Sequence, residues 1–195
     1  MFFVGLNADD CEDMLTSLRP IGFNCEDKMY KVTGGSNAYK GFIFIGGVIF
    51  ASVGYLINKS LPISALKKTI KKICEGIDNS CNETFGYKAY HEHGFGGIRK
   101  LCINGFDVVI NFSKKIENQP LLQSLCEIVG EIDDSVLLKR SCSFEKYIHF
   151  KSIISSVDIN NKKQLKVVNK ECLQNNISIG GAADVLIAAI LLQSE

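Results

Sequence analysis

The residues best suited to chemistry fall in four short stretches. Residues 133–140 read DDSVLLKR, with adjacent carboxylates Asp133 and Asp134, and with Arg140 six residues after the second. Such a pair suits Mg²⁺ or the orientation of a hydroxyl. The plainer reading is a helix cap, with Arg140 as its ion-pair partner. In residues 175–186, NNISIGGAADVL, the pair Gly180 and Gly181 feeds an apolar helix that carries Asp184 in its first turns. Asp184 is either a favourable charge near a helix N-terminus or a buried functional carboxylate. Residues 33–40, TGGSNAYK, place Thr33, Gly34, Gly35, Asn37 and Lys40 directly before an apolar run. Glycines let a ligand approach the backbone, a following helix offers free N–H groups, and Lys40 adds a positive charge. This makes the stretch a candidate phosphate-handling turn, an ordinary turn being the alternative. The spacing is not that of a Walker loop. Residues 91–100, HEHGFGGIRK, contain His91 and His93 at i and i+2. On a helix these point apart; on a strand or loop they meet, but spacing supplies no third metal ligand. The glycines with Arg99 form another candidate phosphate-facing turn.

These residues need helices to hold them. The 17 residues from Gly41 to Ile57 are almost wholly apolar, too long for an ordinary strand, and fit a buried central helix. A membrane span is the rival by length, but Gly46, Gly47, Ser52 and Gly54 fall on several faces, so no membrane role is expected. Helical spacing is read over 8–19, with a break at Pro20 and a resumption over 21–32. It recurs over 63–77, 101–116 with an interruption near Asn104 and Gly105, 120–131, 144–157, 162–174 and 175–193. Residues 81–93 read as a polar connection or a short helix. No strand alternation stands out. The expectation is one all-α domain over residues 1–195, with about nine or ten helices.

Composition narrows the function classes. Lys plus Arg is 22 and Asp plus Glu is 21, a formal net charge of +1. That balance gives no reason to expect nucleic acid, and the Lys67, Lys68, Lys71 and Lys72 run is most simply a solvated helix face. Any anion site must be built locally. The 8 cysteines contain no C-x-x-C pair and suit neither a zinc site nor a disulfide scaffold. With no signal-peptide pattern at the start, a reducing cytoplasmic setting is expected.

Four segments in order, LRPIGFNCEDKMYKVTGGSNAYKGFIF (18–44), HGFGGIRKLCINGFDVV (93–109), DDSVLLKR (133–140) and NNISIGGAADVL (175–186), resemble triphosphoribosyl-dephospho-coenzyme A synthase. The resemblance covers roughly the C-terminal two-thirds of that family's length. It implies an all-α transferase that joins ATP to 3′-dephospho-CoA and releases adenine. The product is the precursor of the prosthetic group of citrate lyase or malonate decarboxylase. It further implies Mg²⁺, as MgATP, on Asp133 and Asp134, and catalytic work by Asp134 or Asp184. Substrate or phosphate contacts are implied for Thr33, Gly34, Gly35, Asn37, Lys40, Arg99, Arg140, Gly180 and Gly181. The expected alternative is a non-catalytic nucleotide- or CoA-binding relative, or one subunit of a split enzyme. A homo-oligomer or an N-terminal partner chain is expected to cover exposed core surface.

Overall fold

A computed structural model describes residues 1–75, 77 and 85–193. Among the described residues the chain is all-α, with twelve α-helices, one short 3₁₀ turn and no strand. In order these are α1 Phe2–Leu6, α2 Met14–Val32, α3 Lys40–Asn58, α4 Leu66–Cys74, α5 Phe85–His93 and α6 Gly97–Ile103. They continue with α7 Asp107–Lys115, α8 Leu121–Glu131, α9 Ser135–Ser141, α10 Phe144–Ser155, α11 Lys162–Gln174 and α12 Gly180–Gln193. They gather into two compact units. Unit 1 comprises residues 1–82 and 98–107, and unit 2 residues 83–97 and 108–195.

Unit 1 is built around α3, which packs against α1, α2 and α4. The run Ile45–Ile49 is buried on every face, and only a narrow stripe farther along α3 is exposed. Ile45, Val48, Ile49, Ala51, Ser52 and Leu56 are buried, while Phe50 and Ile57 are exposed. The helix is long and apolar enough to cross a membrane, yet half of it lies inside the protein. Its buried hydroxyl, Ser52 Oγ, donates to the Val48 carbonyl at 2.8 Å, so it needs no outside partner.

Two expectations are corrected here. Pro20 does not break the chain, because α2 runs unbroken through it. A proline inside a helix costs about 3 kcal/mol through its missing N–H and the clash with the preceding turn. Pro20 is exposed, and Met14, Leu15, Leu18 and Met29, all buried, hold both halves of the helix on the core. The helix also starts at Met14 rather than Ala8, because Asp10 turns the preceding loop by accepting from the Glu12 N–H at 3.0 Å. Of the connection expected over 81–93, residues 81–84 lie outside the described residues, and Phe85–His93 is helical.

Unit 2 centres on α8, α9, α10 and α12, which pack on one another through Ile128, Val129, Leu137, Phe150, Ile154, Val185 and Ala189. Helix α5 lies on α9, and α11, with no buried residue, touches α10. The seven described cysteines are all free thiols.

Candidate functional site

The organising residue of unit 2 is Asp134. It precedes α9 in an extended conformation, and its Oδ1 accepts from the Val136 N–H at 2.8 Å and the Leu137 N–H at 3.1 Å. That is an N-cap, the plainer of the two readings its sequence allows. Its other oxygen, Oδ2, accepts from the Ala182 N–H at 2.9 Å, in the first turn of α12. One carboxylate therefore satisfies the orphan donors of two helix N-termini at once. Gly181 has to be glycine for this. A Cβ there would stand 2.6 Å from Asp134 Oδ1. Asp134 is only 2% exposed. Burial pushes its carboxyl above the usual range, although four backbone N–H groups pull the other way. Both oxygens are already occupied by the fold.

Asp133 presents a different surface. Its side chain is about a quarter exposed, and its Oδ2 accepts from the Gly96 N–H at 3.3 Å. Lys151 Nζ lies 3.7 Å from its Oδ1 and donates to the Ile132 carbonyl at 2.7 Å. The turn over Gly94, Phe95 and Gly96 is thereby docked on the acidic pair. Gly94 and Gly97 carry φ of +66° and +48°, backbone that other residues rarely adopt. Three of the four sequence stretches thus converge in unit 2: HGFGG, DDSVLLKR and SIGGAAD.

Tyr147, on α10, lies beneath this junction. It is 2% exposed, with Phe95 edge-on at 5.4 Å and Phe144 tilted at 5.7 Å. Its hydroxyl is enclosed without a well-formed hydrogen bond. The Asp134 backbone approaches it without completing one. Burial, and then the charges of Asp133 and Asp134, push the phenol well above its ordinary value of 10. The folded state therefore holds the neutral phenol, and its contribution to stability is lost as pH rises above about 10. Tyr147→Phe is expected to leave neutral-pH stability unchanged or raise it by about 1 kcal/mol, since it removes an unpaired buried hydroxyl. It should also flatten the alkaline fall in the urea midpoint above about pH 10. A loss of more than about 1 kcal/mol at pH 7 would show that the hydroxyl is paired.

The turn over residues 33–40 belongs to unit 1, where its polar groups have local partners. Gly35 N–H donates to the Tyr30 carbonyl at 2.8 Å and Thr33 N–H to the Met29 carbonyl at 2.9 Å, closing α2 in a Schellman-type end with Gly34 at φ +63°. Asn37 Oδ1 accepts from the Lys40 N–H at 3.0 Å, and Lys40 Nζ pairs with Glu26 at 2.8 Å. Nothing lies within 4 Å of where a Cβ would stand on Gly34 or Gly35, so their backbone faces open space.

A family model described as ATP:dephospho-CoA triphosphoribosyl transferase, CitG, matches residues 5–195. The chain belongs to this family. It is 27% identical to the probable 2-(5″-triphosphoribosyl)-3′-dephosphocoenzyme-A synthase of Photobacterium profundum, over 97% of this chain and 69% of that protein. It is likewise 27% identical to Protein CitXG of Leuconostoc mesenteroides subsp. cremoris, over 94% of this chain and 45% of that protein. No solved structure matches the chain significantly.

In this member of the transferase family the remaining candidates are placed as follows. Arg99 is buried in α6, and Arg140 is exposed in the last turn of α9. Gly180 opens α12, and Asp184 lies half-buried within it. His91 is exposed, while the side chain of His93 lies outside the described residues, and with it the histidine pair weighed as metal ligands. Among the described residues no three acidic, histidine or cysteine side chains gather as a metal cage. Mg²⁺ carried on a nucleotide needs only one or two protein carboxylates beside phosphate and water oxygens. Asp133, about a quarter exposed, is open enough for that. Asp134, enclosed by N–H donors, is not. Sequence reasoning passed over Tyr147 and Lys151. Their i, i+4 spacing on α10 reads only as helix periodicity until loop 132–134 is laid over them.

Proposed function

We propose that the chain joins ATP to 3′-dephospho-CoA, giving 2′-(5″-triphosphoribosyl)-3′-dephospho-CoA and free adenine. The family match over residues 5–195 carries this reading. A ribose 2′-hydroxyl oxygen of the coenzyme forms a bond to C1′ of the ATP ribose as the C1′–N9 bond breaks. The bonding pair leaves with adenine, which takes up a proton, while the attacking hydroxyl releases one to a base and thence to water. The ribosyl centre becomes oxocarbenium-like, so a carboxylate beside it stabilises the charge. Each unit supplies candidates of its own. In unit 1 the open glycine backbone at Gly34 and Gly35, with Thr33, Asn37, Lys40 and Arg99, is assigned to substrate phosphate or ribose. In unit 2 Asp184 is assigned to base or charge-stabilising work and Asp133 to Mg²⁺ on the triphosphate, with Arg140, Gly180 and Gly181 as further contacts. Asp134 positions these groups by fixing α9 against α12. The product serves as prosthetic-group precursor for citrate lyase or malonate decarboxylase, and the free thiols fit a reducing cytoplasm.

The test is release of adenine from ATP plus 3′-dephospho-CoA with Mg²⁺. The expected outcome is one adenine per coenzyme consumed, with Asp184→Asn reducing the rate about 100-fold. Wild-type protein that shifts its Tm with ATP but yields no adenine would instead favour a nucleotide-binding relative or one subunit of a split enzyme.

A further inference from the structure

Tyr147 is a residue that packing alone does not explain. A phenylalanine would fill the same space between Phe95 and Phe144 without burying an unpaired hydroxyl. Its neighbours are also distinctive. One turn along α10, Lys151 reaches the Ile132 carbonyl and the edge of Asp133, and its ammonium lies 5.7 Å from the Tyr147 ring centre. The Gly96 N–H points at Asp133 across a long 3.3 Å bond. Phe95, edge-on to the Tyr147 ring, lies between Gly94 and Gly97, both at positive φ. An ammonium, a phenol O–H and a backbone N–H from a glycine turn are all donors. Together they suit an anion with several oxygens, and the partly exposed Asp133 suits the cation such an anion carries.

We infer that Tyr147, Lys151 and the Gly94–Gly97 turn form the protein side of a subsite for a magnesium-bound polyphosphate, with Asp133 toward the metal. The Asp133 contact to Gly96 N–H then holds the place of a phosphate oxygen, and a turn of Phe95 exposes the Tyr147 hydroxyl. This assignment rests on the triphosphate-transfer reading and adds to it which residues of unit 2 take the phosphates.

The probe is inorganic tripolyphosphate with Mg²⁺, titrated calorimetrically into the full chain. Tyr147→Phe should have a Tm at or above that of wild type and bind about 5-fold more weakly, through loss of one hydrogen bond. Lys151→Met should bind about 10-fold or more weakly, and Lys151→Arg should recover most of that loss. Recovery by arginine separates the charge from the packing of the stem. Affinities of Tyr147→Phe and Lys151→Met within about twofold of wild type would overturn the subsite, as would wild-type protein that does not bind tripolyphosphate. Adenine release is followed in parallel on the wild type. Variant-sensitive tripolyphosphate binding without adenine release would keep the subsite and overturn the transfer reaction.

Discussion

Asp134→Ala is expected to lower the free energy of unfolding by about 3–5 kcal/mol, measured by urea unfolding followed by far-UV circular dichroism. A single lost N-cap costs about 0.5–2 kcal/mol. Here one carboxylate caps α9 through Val136 and Leu137 and the first turn of α12 through Ala182. Its removal takes the acceptor from at least three N–H groups, those of Leu137 and Ala182 in buried bonds and that of Val136 in a part-buried one. Asparagine keeps one acceptor but turns an amide N–H₂ toward donors, so Asp134→Asn should fall between alanine and wild type. Gly181→Ala drives a methyl into the same carboxylate and should be strongly destabilising alone. In the Asp134→Ala background that clash is gone, so the two effects should not add. Additive losses, or a loss below about 1 kcal/mol for Asp134→Ala, would mean that the carboxylate does not join the two helices.

Gly5→Ala is expected to detach α1 from α3 at a cost of about 2–4 kcal/mol. The helices meet backbone to backbone. A Cβ on Gly5 would overlap the Ala51 carbonyl, and one on Gly54 would overlap the Phe2 carbonyl and stand 2.9 Å from the Leu6 nitrogen. Gly47, Ala51 and Gly54 recur at i, i+4 and i+7, so α3 presents one face of small residues to α1. No flexible side chain can move aside to relieve the overlap. The expected readout is a lower Tm together with early proteolytic release of the N-terminal segment. Gly22→Ala is the control. Nothing lies within 4 Å of its Cβ position in α2, so it should be neutral or stabilising by about 0.5–1 kcal/mol. Equal behaviour of the two variants would reject the close approach of α1.

Much of the secondary structure was legible because its signals are local. Apolar spacing marked α3, α4, α8 and α10, and Gly105 with its φ of +66° falls at the interruption expected between α6 and α7. What was misread depended on balance rather than on a signal. Pro20 carries a real local penalty, and only the burial of Met14, Leu15, Leu18 and Met29 shows it to be outweighed. The short helix α1 has too few residues to form by propensity, and it exists because the small face of α3 receives it.

By itself, the sequence determined the helical class, the order of the four glycine-rich or acidic stretches, and the family they mark. It also held both roles for Asp134 open, since a carboxylate before an apolar run satisfies the cap and the metal-site patterns equally. Only the tertiary structure shows how far the cap extends. The Ala182 N–H lies 48 residues along the chain from Asp134, and nothing in local spacing predicts that bond. The same holds for Lys151 beneath Ile132, Gly96 on Asp133, and the unpaired Tyr147 hydroxyl. Hydrogen bonds reach about 3 Å, so residues distant in sequence can share one only after packing has brought their helices together.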